Sequence, residues 1–176
     1  MLPPGRQGAS DLSLAPEVPA PIRFVKAGIE DADLLTEVQK RAFDDDSQRF
    51  AGRPAGGPPG YDSVGWTLWA IKAGIYFKIL AGNRIVGGMI LFDMHKRHFN
   101  LGRIFVDPGW QDRGIGAEAV RFVEKAFPYV TKWSLNTPEW AVRNQHFYEK
   151  LGYVKVGEEI QTGIDFRLYL YEKRMP

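Results

Sequence analysis

Two stretches of this 176-residue chain combine residue types and spacings that could do chemistry. The first is RIFVDPGWQDRGIGAEAV, residues 103–120. A run of strand character stops at Asp107-Pro108-Gly109, and a helical pattern opens inside Gly114-Ile115-Gly116. The first N–H groups of a helix have no partner within it, and the aligned peptide dipoles add partial positive charge there. Glycines at 114 and 116 let a ligand approach the backbone. These properties together describe a pyrophosphate cradle. Its donors are the N–H groups of Arg113, Gly114, Gly116 and Ala117, with Gln111 in reach and Arg113 as an added charge.

Other readings of the loop compete. A P-loop requires Lys and Ser/Thr after its second glycine; Ala117 and Glu118 stand there instead. A dinucleotide fingerprint fits G-x-G-x-x-A, but it wants an acidic residue about 20 positions on, at the end of the next strand. That strand ends at Leu135-Asn136. A glycine-rich helix start with no ligand is the bland alternative. The second stretch places Asn144, Phe147, Tyr148 and Leu151 at i, i+3, i+4 and i+7, hence on one helix face. An ordinary helix with a half-buried tyrosine accounts for that spacing equally well.

Composition narrows the classes. There is no cysteine, which excludes disulfides, zinc-thiolate sites, iron–sulfur clusters and a cysteine nucleophile. Lys and Arg total 23 and Asp and Glu 21, a net charge of +2. So small a surplus gives no field to hold nucleic acid by its phosphates. Hydrophobic residues at 44% exclude a disordered chain. No apolar run approaches the roughly 20 residues of a membrane span, and the N-terminus lacks a signal peptide's apolar block. The chain reads as a soluble, cytoplasmic protein with no nucleic-acid or membrane partner.

The elements that must position these residues follow from periodicity. Residues 1–21 hold five prolines and read as a flexible tail; residues 22–176 read as one domain. IRFVKA is a strand. A helix follows Asp31 as N-cap, burying Leu34, Leu35, Val38 and Phe43 and running into Asp44-Asp45-Asp46. Residues 49–62 are a Gly/Pro loop, then Asp62–Lys72 a second helix with Val64, Leu68 and Ile71 inward. Three meander strands occupy 75–106, with a helix from about Gly114 to Ala126 and a strand over 130–136. A helix over Ala141–Leu151, capped by Gly152, precedes two last strands. The order β α α β β β α β α β β predicts an α/β fold with a mixed, mostly antiparallel sheet of about seven strands flanked by four helices.

V-D-P-x-x-Q-x-x-G-x-G, from Val106 to Gly116, resembles motif A of the GCN5-related N-acetyltransferases (GNAT). N-x-x-F-Y-x-x-x-G-Y, from Asn144 to Tyr153, resembles motif B. The element order over 22–173 resembles the family's too. The resemblance implies acetyl-CoA as co-substrate, its diphosphate held by Gln111, Asp112, Arg113, Gly114, Ile115, Gly116 and Ala117. It implies pantetheine beside main-chain groups of Phe105 and Val106, with the Val106 N–H as oxyanion donor. It implies Asn144 and Phe147 beside the pantetheine arm and Tyr148 as general acid toward the CoA sulfur. A phenol near ~10 keeps its proton at neutral pH, whereas a thiol titrates near ~8.5.

The implied activity is acetyl transfer to a primary amine on a small molecule or peptide. With no cysteine in the chain, an acetyl-cysteine intermediate is impossible, and direct attack within a ternary complex is the simplest route. The alternative is a catalytically idle acyl-CoA-binding module. Family members often carry an acidic base on the strand entering motif A, but FNLGRIFV has none. Asp107 reads as a strand stop, and Asp93, His95 and His98 as turn residues, so the base is unassigned. The 52–63 loop, with Tyr61 and Trp66 as aromatic walls, is expected to face the acceptor. Asp44–Asp46 could attract a cationic amine, although a solvated charge run is the commoner meaning of such a triplet. A homodimer is compatible with the aromatic content.

Overall fold

The structure is a computed structural model, and it describes residues 19–176. The expected tail lies outside that range up to residue 18. Seven strands form one sheet: β1 (Ile22–Lys26), β2 (Ile75–Ala81), β3 (Arg84–Asp93), β4 (His98–Val106), β5 (Lys132–Pro138), β6 (Val154–Glu159) and β7 (Leu168–Arg174). Their spatial order is β1-β2-β3-β4-β5-β7-β6. Every pairing is antiparallel except β4 with β5. Among the described residues the α-helices are α1 (Ala32–Asp46), α2 (Val64–Ala73), α3 (Ile115–Ala126) and α4 (Val142–Lys150).

Period-two alternation sends successive side chains of the central strands to opposite faces. On β3, Met89 and Leu91 join a core with Ile115, Val120 and Val123 of α3 and Tyr148 of α4. Ile90, between them, joins the opposite core with Leu35, Val38 and Ala42 of α1 and Ala70 of α2. Trp133, 1% exposed on β5, is a core residue.

Two predicted helix starts differ in detail. Asp31 is the N-cap residue of α1, but its side chain makes no capping bond to that helix. Its carboxylate accepts the Gly28 N–H at 2.8 Å and pairs with Lys78 of β2 at 2.9 Å. A 3-10 turn over Ile29–Asp31 thus precedes the helix. Leu34 is 55% exposed, and Ala42 fills the inward position instead. Ser63 caps α2 by accepting the Trp66 N–H at 3.1 Å. Val64 is exposed, while Thr67 and Ala70 face the core. Thr36 donates to Ala32 and lies 2.8 Å from Thr67, joining α1 to α2. The loop begins later than predicted, because α1 continues into a π-helical turn over Ser47–Ala51 before Gly52 turns left-handed at φ 66°.

The seam between β4 and β5 shapes the molecule. Their parallel pairing covers only His98–Asn100 against Lys132–Ser134. Beyond Asn100 the strands diverge, and the rest of β4 has no strand on that side. The Asp107 N–H donates to the Val86 carbonyl at 2.7 Å. By alternation Phe105 also turns its main-chain groups toward β3, and Ile104 and Val106 turn theirs into the gap.

Candidate functional site

A cavity of about 280 Å³ occupies this gap. Its walls come from four places: Ile104, Phe105 and Val106 on β4; Trp110, Gln111 and Gly114–Ala117 between β4 and α3; Arg143, Asn144, Phe147 and Tyr148 on α4; and Ala42, Phe43 and Asp46 at the end of α1.

At one end is the start of α3. Gly114 is the N-cap with φ 78°, a left-handed backbone that a side chain would strain. A Cβ placed there would meet nothing within 4 Å, so conformation and open approach favour glycine rather than packing. The first bond of the helix runs from the Glu118 N–H to the Gly114 carbonyl at 3.0 Å. The N–H groups of Ile115, Gly116 and Ala117 precede it and face the cavity end as unsatisfied donors. The Ile115 side chain is buried in the core, so its part in any anion contact is limited to its backbone. Gly116 lies under the Phe147 ring, which a Cβ would approach to 3.2 Å.

The charged members of the loop differ from expectation. Arg113 turns back over the Trp110 ring at 4.7 Å and donates to the Gly109 carbonyl at 3.1 Å. It is absent from the cavity wall, and Arg143 of α4 is present. Asp112, exposed and left-handed at φ 61°, pairs its carboxylate with Arg143. Asp112 therefore orients a cation. Its own negative charge would oppose phosphate contact. Arg143 is a residue that sequence reasoning missed. Only its place one residue before Asn144, on the helix that faces the loop, could have suggested it.

Gln111 braces β4. Its Nε2 donates to the Val106 carbonyl at 2.9 Å, and its buried Oε1 has no partner. Such an unpartnered buried acceptor costs about 1–3 kcal/mol. By the alternation along β4 the Val106 N–H points into the gap. Phe105 corrects the expectation for its main chain, which is spent on β3. Its ring packs with α1 instead.

On α4, Asn144 and Tyr148 both line the cavity. Tyr148 is 8% exposed, and its ring packs on Phe147 and Tyr153. Burial, and then the charge of Asp46, push its phenol above the ordinary tyrosine range. No described residue hydrogen-bonds its hydroxyl.

The acidic triplet divides three ways. Asp44 accepts from the Gly56 N–H at 3.1 Å and from the Tyr61 hydroxyl at 2.7 Å, and pairs with Lys40. Asp45 pairs with Arg49 at 3.3 Å. Asp46 alone enters the cavity. Burial, and next the neighbouring Asp45, raise its carboxyl to about 6, against the opposing pull of Arg143 and Arg49.

Tyr61 and Trp66 do not line the cavity. Tyr61 closes the loop onto Asp44, and burial with that bond pushes its phenol to about 12. Trp66 lies beneath the Arg103 guanidinium, 3.6 Å from its ring centroid. Arg103 is 8% exposed, donates to Gln39 Oε1 at 3.2 Å and to the Pro59 carbonyl, and no carboxylate among the described residues pairs with it. Burial lowers it to about 10, so it is charged at neutral pH. Asp107 binds Arg41 at 2.7 Å and the Gly109 N–H at 3.1 Å. Despite burial, those contacts hold its carboxyl below the usual range. It is a structural stop. His98 and Asn100 both bond Ser134 at the seam. Among the described residues no cluster of His, Asp and Glu could hold a metal, and no helix is long and apolar enough to cross a membrane.

Residues 72–155, from the end of α2 to the start of β6, match the family model described as the acetyltransferase (GNAT) domain. The matched segment contains both motifs, Val106–Gly116 and Asn144–Tyr153, on which the resemblance to that family rests. Among curated proteins it is similar to the uncharacterized protein YrkN of Bacillus subtilis (strain 168), 28% identical over 90 residues. That alignment covers 51% of this chain and 49% of the relative, so the chain spans about half the length of the curated protein it matches. Among solved structures, an acetyltransferase from Thermus thermophilus superposes with a TM-score of 0.71 at 16% identity, over 90% of this chain and 100% of that one. The PaiA N-acetyltransferase from Thermoplasma acidophilum, in complex with coenzyme A, gives 0.66 at 17% identity, over 88% and 99%. At these identities the likeness is one of fold.

Proposed function

We propose that this domain transfers an acetyl group from acetyl-CoA to a primary amine by direct attack in a ternary complex. The observation that carries the reading is one continuous cavity. It joins the unsatisfied helix start at Gly114–Ala117, the unpaired edge of β4 at Val106 and the Tyr148 hydroxyl. The structural neighbour crystallised with coenzyme A supports the choice of co-substrate.

Each contact has a physical reason. The α3 start and Arg143 suit the diphosphate. Asn144, on the cavity wall, suits a pantetheine amide. The Val106 N–H suits the oxygen that gains charge as the amine adds to the thioester; one such donor is worth roughly 2.7–4 kcal/mol. Tyr148 protonates the departing sulfur. The burial that holds its proton also raises the basicity of a thiolate formed in the same chamber.

The test is thermal stabilisation by CoA together with release of free CoA thiol over a panel of primary amines and peptides. The cysteine-free chain adds no thiol background. CoA should raise the melting temperature, and at least one amine should accelerate thiol release. Tyr148→Phe should lower that turnover by about 10²–10⁴-fold, and full activity would remove Tyr148 from the reaction. Stabilisation by CoA with no turnover across the panel favours the idle binding module.

A further inference from the structure

We propose that Asp46 is the base that takes the proton from the acceptor's ammonium group. The inference rests on the acetyl-transfer reading and supplies the group that the β4 sequence lacks.

The argument is one of position and availability. Asp46 ends α1 and lines the same cavity as Val106 and Tyr148. Its two acidic neighbours are spent on Gly56, Tyr61 and Lys40 in one case and on Arg49 in the other. No described residue hydrogen-bonds the Asp46 carboxylate. The charged and titratable groups facing it are Asp45 and Arg49 from its own end of the chain, and Arg143 and Tyr148 from α4. The other groups with the right chemistry are committed elsewhere: Asp107 to Arg41, and His98 to Ser134.

The chemistry is matched to the task. An alkylammonium titrates near ~10 and is no nucleophile until it loses a proton. Asp46, raised to about 6, is ionised at neutral pH and is a stronger base than an ordinary aspartate. The step balances. Asp46 takes one proton from R–NH3+, and the freed lone pair forms the N–C bond. The carbon–sulfur bond breaks, and sulfur takes the Tyr148 proton. The nitrogen's second surplus proton restores Tyr148, and Asp46 returns its proton to solvent. The products are the amide, CoA thiol and one proton.

The experiment compares Asp46→Asn with the parent protein, using an alkylamine from the panel and hydroxylamine, which is largely neutral at pH 7. Asparagine keeps the shape and removes the basicity. With the alkylamine, kcat/KM should fall by about 10²–10⁴-fold at pH 7. The deficit should shrink as pH rises toward ~10, where solvent deprotonates the amine. With hydroxylamine, turnover should stay within about threefold, since no proton needs removing before attack. CoA should stabilise both proteins equally, which separates loss of a base from loss of the fold. Equal losses for both nucleophiles, or no loss for either, would overturn the assignment. A parent protein that binds CoA and acetylates neither nucleophile fails at the transfer reading itself, and Asp46 loses its role with it.

Discussion

Asp46 carries a carboxylate into a chamber that disfavours its charge, and this has a cost in stability. Its folded value near 6 lies above the ordinary 3.8, so the folded state takes up the proton more readily than the unfolded chain. The cost of the ionised form is therefore fully present above about pH 6 and vanishes below about pH 3.8. A shift of about two units corresponds to at most about 3 kcal/mol, and solvent access at the cavity mouth brings it nearer to ~1. Asp46→Asn should melt higher than the parent at pH 7.5 and no higher at pH 4, measured by calorimetry. A variant with no advantage at pH 7.5 would show that the carboxylate is not strained. Gly114 is the converse case. A left-handed alanine costs about 1–2 kcal/mol, and the new methyl group would stand in the open approach to the α3 start. Gly114→Ala should lower both the melting temperature and the affinity for CoA; unchanged CoA affinity would remove this helix start from the binding site.

At the scale of elements, period and punctuation carried most of the fold. Alternation located β2, β3 and β4 closely because both faces of the central strands are covered, so every second residue reports the same core. The helices were legible as segments but less so in their faces. Leu34 is exposed and Ala42 buried because the close approach of α1 to the sheet favours a small residue. Motif spacing located α3 and α4 and the loop between β4 and α3. The partition of Asp44, Asp45 and Asp46 had no sequence signal, since it depends on which partners the folded loop and α4 bring to each side of the end of α1. Arg103 was equally silent. It ties the 52–62 loop to the sheet through Gln39, Pro59 and Trp66. Arg103→Met would leave the Gln39 and Pro59 oxygens without that donor, a loss of about 1–3 kcal/mol. It should also speed chymotryptic cleavage after Tyr61, at the end of the loop. Arg103→Lys should not restore protection, because an ammonium cannot stack as a plane. Cleavage at the parent rate in both variants would show that the loop is held by Asp44 and Tyr61 alone.

At the scale of the whole molecule, the site exists because the sheet is nearly two sheets. Strands β1 to β4 form one half and β5, β7 and β6 the other, and only three paired positions join them. Ser134 reinforces that short seam. Its hydroxyl lies 2.7 Å from His98 Nε2 and accepts from Asn100 Nδ2 at 3.1 Å, while its carbonyl receives a second Asn100 bond. A longer seam would pair the Val106 N–H with β5 and close the cavity. A shorter one would let the halves part. His98 is held below its ordinary value by burial and then by Lys132. A depressed imidazole favours folding above the unfolded value near ~6.5 and loses that contribution as pH falls through the window below it. The Ser134 bond adds to the seam at any pH where His98 is neutral. Ser134→Ala should therefore lower the melting temperature at pH 7.5, by the equivalent of about 1–3 kcal/mol. Amide exchange should quicken at Phe99, Asn100 and Ser134, with the β2–β3 amides unchanged. Uniform acceleration across the sheet would mean that the two halves open as one unit and that the seam is no weaker than the strands it joins.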